Sequence, residues 1–364
     1  MDNVKIGNKE TIALLVTITF NHTILNITKT IIDTTTSASL INILYIGILS
    51  IILTCIICYF LNKFPTFDLL DISNYLGGKF LKFIIGTLYI AYFIFFAGIL
   101  LHMFASAIQI IYFPQTKIFY IILLFILGAF IGCNLKYNAV YRVALVIFPL
   151  IVISTIFLFF SDLQFFEFEK MYPIFGDGIF TTFASGISNI FAFQCLAYIY
   201  FLPPKLKNPN KLKNIVVTAI CLSCILLLIC VSIILFMFNG FIETDELIPL
   251  YSAVKYIEFG SFFRNMDSLF VLIWIISFVS YLSINLKISS GIFKKITKIE
   301  NKYTLSFILV IALLLCSIWP NKYAISVNLS NNAYKYTFLI LALILSFFIL
   351  LLAVLKQKIM RWFK

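Results

Sequence analysis

The chain has 364 residues, of which 62% are apolar and 12% charged, with a net charge of +12. A soluble fold of this length has too little polar surface to cover so much apolar side chain, so lipid is the solvent for most of it and a soluble enzyme is excluded. The basic excess does not point to nucleic acid, because the Lys and Arg residues fall between apolar runs and build no continuous basic face.

A span needs roughly twenty apolar residues to cross about 30 Å of hydrocarbon. That ruler predicts ten spans, near 11–32, 38–61, 83–111, 118–134, 139–160, 178–202, 213–239, 268–290, 304–320 and 336–356. Met1–Glu10 is polar and no small-residue cleavage pattern follows the first apolar run, so that run is expected to remain as a helix. Lys and Arg gather in alternate loops, around Lys63 to Lys82, Lys136 to Arg142, Lys205 to Lys213, Lys287 to Lys302 and Lys356 to Lys364. Basic loops face the cytoplasm, and an even number of spans then places both termini there. The stretch 240–267 is too long for a turn and reads as a short helical lid over the outer face. At its end Arg264 and Asp267 form a possible gate, with a solvated surface pair as the alternative.

Two spans differ from the rest. Span one carries Asn21, His22, Thr23, Asn26 and Lys29 at bilayer depth, which is costly unless they line a cavity or pair with one another. The expectation is an unwound centre lining a site; a polar seam between helices is the alternative. Span six is dense in glycine and hydroxyl residues around Phe183, Ser185 and Gly186, and is expected to open there. Broken helices five apart suit two inverted five-helix repeats. Here the repeats are about 11–160 and about 178–320, with helix 10 at about 336–356, in one transmembrane domain over 1–364. Freed N–H and C=O groups at the breaks would grip the carboxylate and ammonium of an amino acid. Ser277 and Tyr281, one turn apart on span eight, and the small Ala97 and Gly98 on span three complete the candidate ligand-binding set between helices 1, 3, 6 and 8.

Nothing points to catalysis, a cofactor or a metal. His22 and His102 are the only histidines and neither lies in a nucleophile or zinc pattern; His102 reads as a hydrogen-bonded packing residue. Cys55-x-x-Cys58 and Cys221-x-x-Cys224 sit in apolar runs without His or carboxylate partners and read as small buried hydrophobes.

Several local patterns follow one another in a recognisable order. Phe64-Pro65 precedes Leu76-Gly77-Gly78-Lys79; Phe113-Pro114-x-Thr116 precedes span four; Arg142 and Pro149 lie in span five. Tyr172-Pro173-Ile-Phe-Gly176 leads into span six, Pro203-Pro204 closes it, and Arg264-x-x-Asp267, Trp274 and Trp319-Pro320 follow. In this order the chain resembles the B subunits of GerA-type spore germinant receptors, the endospore germination permeases of the amino acid-polyamine-organocation transporter superfamily. The resemblance implies an all-α, LeuT-like 5+5 inverted repeat with broken helices 1 and 6. It also implies a pocket for a nutrient germinant, often an amino acid, and assembly with A and C receptor subunits in the spore inner membrane. A stand-alone proton- or sodium-coupled amino-acid transporter is the alternative, and a structural scaffold a third reading. Two departures stand out: the family's glycine-containing break in helix 1 is here Asn21-His22-Thr23-Ile24-Leu25, and Gln194 stands where many members carry a glutamate.

Overall fold

The computed structural model describes residues 5–238, 248–257, 267–297 and 299–362, and among them every named element is a helix. The first apolar run, Asn8–Leu61, is one helical stretch of 54 residues. At 1.5 Å per residue it would reach about 80 Å, more than twice the hydrocarbon thickness. It therefore turns back at Thr36, whose φ of 47° is left-handed, and becomes two spans. These are α1 (residues 8–35) and α2 (Ser39–Leu61).

Eight further spans follow: α3 (Leu69–Tyr112), α4 (Ile118–Asn134), α5 (Tyr137–Asp162), α6 (181–201), α7 (Leu212–Met237), α8 (Asp267–Thr297), α9 (Lys302–Ile318) and α10 (323–362). A short helix, Pro249–Lys255, lies between α7 and α8 within the stretch expected to form a lid. All ten expected spans are present, and α4 and α9, at 17 residues each, are the short ones. With ten crossings the first and last described residues, Lys5 and Trp362, lie on one face, called here the terminal face. α3, α4, α8 and α9 pack as one group, α2 lies along α7, and α1 is inserted among α5, α7 and α8.

Four helices depart from regular geometry. α3 is kinked near its start, where Gly77 (φ −128°, ψ 20°) and Gly78 (φ 68°, ψ −161°) leave the helical conformation. α1 runs as α-helix over Asn8–His22, widens to a π turn over Thr23–Ile27, and resumes over Thr28–Thr35. Its interruption is thus a widened turn and not an unwound segment. Threonine and asparagine side chains account for the difference: Asn21 Nδ2 donates to the Thr17 carbonyl (2.7 Å), Thr23 Oγ1 to Thr19 (3.1 Å) and Thr30 Oγ1 to Asn26 (3.0 Å). Such back-bonding competes with regular i−4 pairing and lets the turn widen without leaving buried carbonyls bare.

α6 is the helix that breaks. Its two arms, Thr181–Ala192 and Cys195–Phe201, meet at 52°. The bend sits at Phe193, where φ is −90° and ψ 62°, seven residues beyond the expected opening at Gly186. Gly186 serves close packing instead: a Cβ there would stand 2.2 Å from Asn42 Nδ2 and 3.1 Å from Thr35 Cγ2. A larger residue at 186 would push α6 off α1 and α2, so Gly186→Leu is a folding lesion and not a clean probe of ligand contact.

α10 begins at Tyr323, well before the expected 336. It carries two π stretches, Leu329–Tyr334 and Phe338–Leu345. Neighbouring side chains meet the carbonyls of the second: Tyr200 OH donates to Ala342 (2.6 Å), and Ser346 Oγ donates to Leu341 (2.8 Å) while bonding Tyr89 OH (2.6 Å).

Candidate ligand site

Most polar groups of α1 are turned inward, whereas Lys29 is half-buried and Asp33 is exposed near its far end. Asn21, His22, Thr23 and Asn26 are all buried, and each meets α6, α8 or α10 or its own helix. Burying so many polar atoms at this depth is tolerable only because they pair.

His22 is the hub, at 2% exposure. Its Nε2 lies 3.0 Å from the Tyr281 hydroxyl on α8, and its Nδ1 accepts from the Gln194 side-chain amide at the α6 break. An amide N–H aimed at Nδ1 leaves the ring proton on Nε2, directed at Tyr281, so the arrangement suits a neutral imidazole. Tyr281 also presents its edge to the imidazole at 5.1 Å and 88°, while Tyr334 of α10 stacks on it at 5.5 Å and 11°. Tyr92 of α3 stacks on Tyr334 in turn, at 5.7 Å and 14°, with Phe96 and Phe191 closing the surround.

Amide side chains extend this hub in both directions. On the terminal side, Tyr198 OH donates to Asn285 Oδ1 (2.5 Å), whose Nδ2 donates to the Tyr281 carbonyl (3.1 Å). Beside His22, Asn21 Nδ2 donates to Ser277 Oγ (2.9 Å). Toward the far face, Asn26 donates to Asn331 Oδ1 on α10, which also accepts from Thr30 Oγ1 (2.9 Å). Asn189 Nδ2 reaches Thr34 Oγ1 (2.8 Å) and Asn42 Oδ1 (3.0 Å), tying α6 to α1 and α2.

Of the ten candidate residues, the structure joins Asn21, His22, Ser277 and Tyr281 directly, and Thr23 lies buried on the same turn of α1. The other five stand elsewhere or make no contact with the hub. Gly98 packs on α9, where a Cβ would be 2.6 Å from Cys316 Cβ. Ala97 is buried but takes no part in the polar contacts described above. Phe183 is half-buried against the edge of Tyr45, 5.1 Å away on α2. Ser185 is exposed, and Gly186 lies on Asn42. Phe93 and Phe96 show why: they mark the face of α3 turned to the site, and Gly98 lies farther round the helix. Gln194, Tyr198, Asn331 and Tyr334 were missing from the candidate set; the Asn331/Tyr334 pair at i and i+3 was the available signal for α10.

At the far face the expected gate is half visible. Arg264 lies outside the described residues. Asp267 accepts from Tyr251 OH (3.0 Å) on the short helix and from Tyr112 OH (3.3 Å) on α3, a clasp linking α3, α8 and that helix. Tyr251→Phe should lower the thermal midpoint by an amount equivalent to about 1 kcal/mol, the usual net worth of such a bond, and Tyr112→Phe by less. Equal, negligible effects in both would mean the clasp is solvated. His102 donates from Nδ1 to the Ser317 carbonyl (2.9 Å), the packing role expected of it.

Known proteins resemble this chain in sequence and in fold. A family model for spore germination proteins matches residues 5–325. Spore germination protein B2 of Bacillus subtilis (strain 168) is 20% identical over 252 residues, 69% of this chain and 68% of that protein. Spore germination protein YndE of the same organism is 23% identical over 196 residues, so the match spans about half of each protein, 53% and 54%. Among solved structures, the nucleobase-cation-symport-1 family transporter Mhp1 superposes with a TM-score of 0.68 at 14% identity, over 93% of this chain and 77% of that one. A Na+-coupled sialic acid symporter gives 0.63 at 13% identity, over 93% and 79%. These are LeuT-fold transporters and the chain shares their fold, as an integral membrane protein. With the family model spanning most of its length, the chain belongs to the spore germination protein family.

Proposed function

We propose that the chain is the nutrient-sensing B-type subunit of a spore germinant receptor, which binds a small molecule where α1, α3, α6, α8 and α10 meet. It works with A and C subunits in the spore inner membrane, with the terminal face in the cytoplasm. Its helices divide into the two inverted repeats outlined from the sequence. The observation that carries the reading is the His22 hub, a paired set of buried polar groups at the break of α6 inside a transporter fold.

Tyr281→Phe tests it. The variant keeps the ring and its packing but removes the only protein partner described for His22 Nε2. Leaving a buried N–H unpaired costs about 1–3 kcal/mol, and 1.4 kcal/mol is a factor of ten in an equilibrium. The nutrient concentration for half-maximal germination should shift by about tenfold or more while the protein accumulates normally. A wild-type dose–response at normal abundance would remove the site from the sensing mechanism.

A second reading, transport by the chain alone, draws support from the fold, since both solved relatives above are transporters. Saturable nutrient uptake by the purified chain in liposomes would favour it. Gln194 at the hub has no carboxyl with which to relay a proton.

A further inference from the structure

The geometry points to an uncharged nitrogen heterocycle as the ligand, a ring whose edge offers an N–H donor and, beside it, a nitrogen or carbonyl acceptor. This refinement rests on the sensing reading above and narrows the ligand of that same site. The imidazole of His22 is itself such a ring, so its surroundings display what the site accommodates. One face lies on Tyr334, nearly parallel at 5.5 Å, and Tyr281 meets the ring edge-on. Each ring nitrogen has its own partner, the Tyr281 hydroxyl for Nε2 and the Gln194 amide for Nδ1. Asn26 and Asn331 join each other nearby. Carboxamides place a donor and an acceptor side by side, the pattern that matches the edge of a cyclic amide or an N-heteroaromatic ring, and tyrosine supplies the stacking face.

A free amino acid fits less well. It would bring a carboxylate and an ammonium to bilayer depth, and each is expensive there without an opposite charge or a set of free backbone groups. The hydrogen-bond and ring partners described for His22, namely Tyr281, Gln194 and Tyr334, are all uncharged. The carbonyls of Thr17, Thr19 and Asn26 on α1, which an unwound segment would have offered to an ammonium, are already taken by Asn21, Thr23 and Thr30.

His22 therefore acts as a placeholder. A ligand ring that takes its position on Tyr334 must break the contacts of His22 with Gln194 and Tyr281. These contacts hold α1 to the α6 break and to α8, so occupancy and release of α1 become one event. Because the resident ring competes with the ligand, removing it should strengthen binding by freeing the competent state.

The test is thermal unfolding of the purified full-length chain in detergent, with hydantoin, uracil and imidazole as heterocyclic probes and L-alanine and L-valine as zwitterions. Hydantoin or uracil should raise the wild-type midpoint with increasing concentration, and the amino acids should not. His22→Ala should respond to imidazole and should need about tenfold less hydantoin or uracil for the same shift. Gln194→Leu should lose the response; if His22→Ala fails to accumulate, the wild-type and Gln194→Leu arms decide. Stabilisation of the wild type by L-alanine or L-valine alone overturns the inference, as does the absence of any shift with the heterocycles. The sensing reading is scored separately: a shifted germination response in Tyr281→Phe spores upholds it whichever class of probe binds.

Discussion

Replacing Gly98 with leucine is expected to remove most of the folded protein from the membrane. A Cβ at this position would stand 2.6 Å from Cys316 Cβ, 3.0 Å from the Cys316 carbonyl carbon and 3.1 Å from the Ser317 nitrogen. Two of these atoms are backbone, so no rotamer change relieves the contact, and α3 must move away from α9. The neighbouring His102–Ser317 bond would be lost with that movement. Overpacking of this kind costs about 3 kcal/mol or more, a large part of the roughly 5–15 kcal/mol that holds a typical domain folded. Abundance in the membrane and the thermal midpoint are the readouts. Gly98→Ala should show a smaller loss, and adding Cys316→Gly should recover part of it by removing the closest atom, less about 1 kcal/mol for a new glycine within a helix. A leucine variant that accumulates and melts like the wild type would mean that α3 and α9 are not in contact there.

Gly98 also illustrates which features were legible in the sequence. Composition marks it as a small residue suited to close helix approach, but which of the neighbouring helices it approaches is a property of packing. The spans themselves were legible because hydropathy and length follow directly from bilayer thickness. The fold followed from their number, the irregular first and sixth helices and the order of short motifs. α10 starts earlier than the expected 336, and the polar run from Asn328 hides that start; Asn331 and Tyr334 there meet Asn26 and His22, far away in sequence.

Polar residues in the first span and small residues in the sixth mark both as irregular, yet each is interrupted differently from the expectation. In α1 the Thr and Asn residues that looked like ligands for a cavity mostly satisfy their own helix or each other. In α6 the glycine that looked like a hinge is a spacer, and the bend falls at Phe193–Gln194 between bulky buried residues. Backbone conformation at such a point is imposed by tertiary contacts, which local propensity does not encode. In the sequence Gln194 stands out only as a departure from a family glutamate, and the structure makes it a direct partner of His22.

Lys295→Met should destabilise the terminal face more than any other single charge removal described there. Lys295 Nζ lies 2.6 Å from Asp68 Oδ2 and 2.7 Å from Asp71 Oδ2, so one ammonium serves two carboxylates. The two acids are also bound to each other's backbone: Asp71 N donates to Asp68 Oδ1 (3.0 Å) and Asp68 N to Asp71 Oδ2 (3.3 Å), a reciprocal cap on the first turn of α3. Without the lysine this cap holds two like charges, one of them on a side chain only 7% exposed. Removing one partner of a buried pair costs about 3–5 kcal/mol, and the one-third exposure of Lys295 and Asp71 favours the lower end.

The pH dependence has a definite sign. Burial pushes the Asp68 carboxyl above the usual carboxylate range, against the pull of Lys295. Loss of Lys295 removes that pull and pushes it further. A carboxyl whose folded value is raised binds its proton more readily in the folded chain, so the variant regains stability as the pH falls through that value. The midpoint gap between Lys295→Met and wild type should therefore narrow between pH 7 and pH 5. Adding Asp68→Asn and Asp71→Asn should close most of it at pH 7, since asparagine caps a helix as well as aspartate and carries no charge. A gap that is absent, or that does not change with pH, would place Lys295 in solvent and leave the contact between α8 and the start of α3 to apolar packing alone.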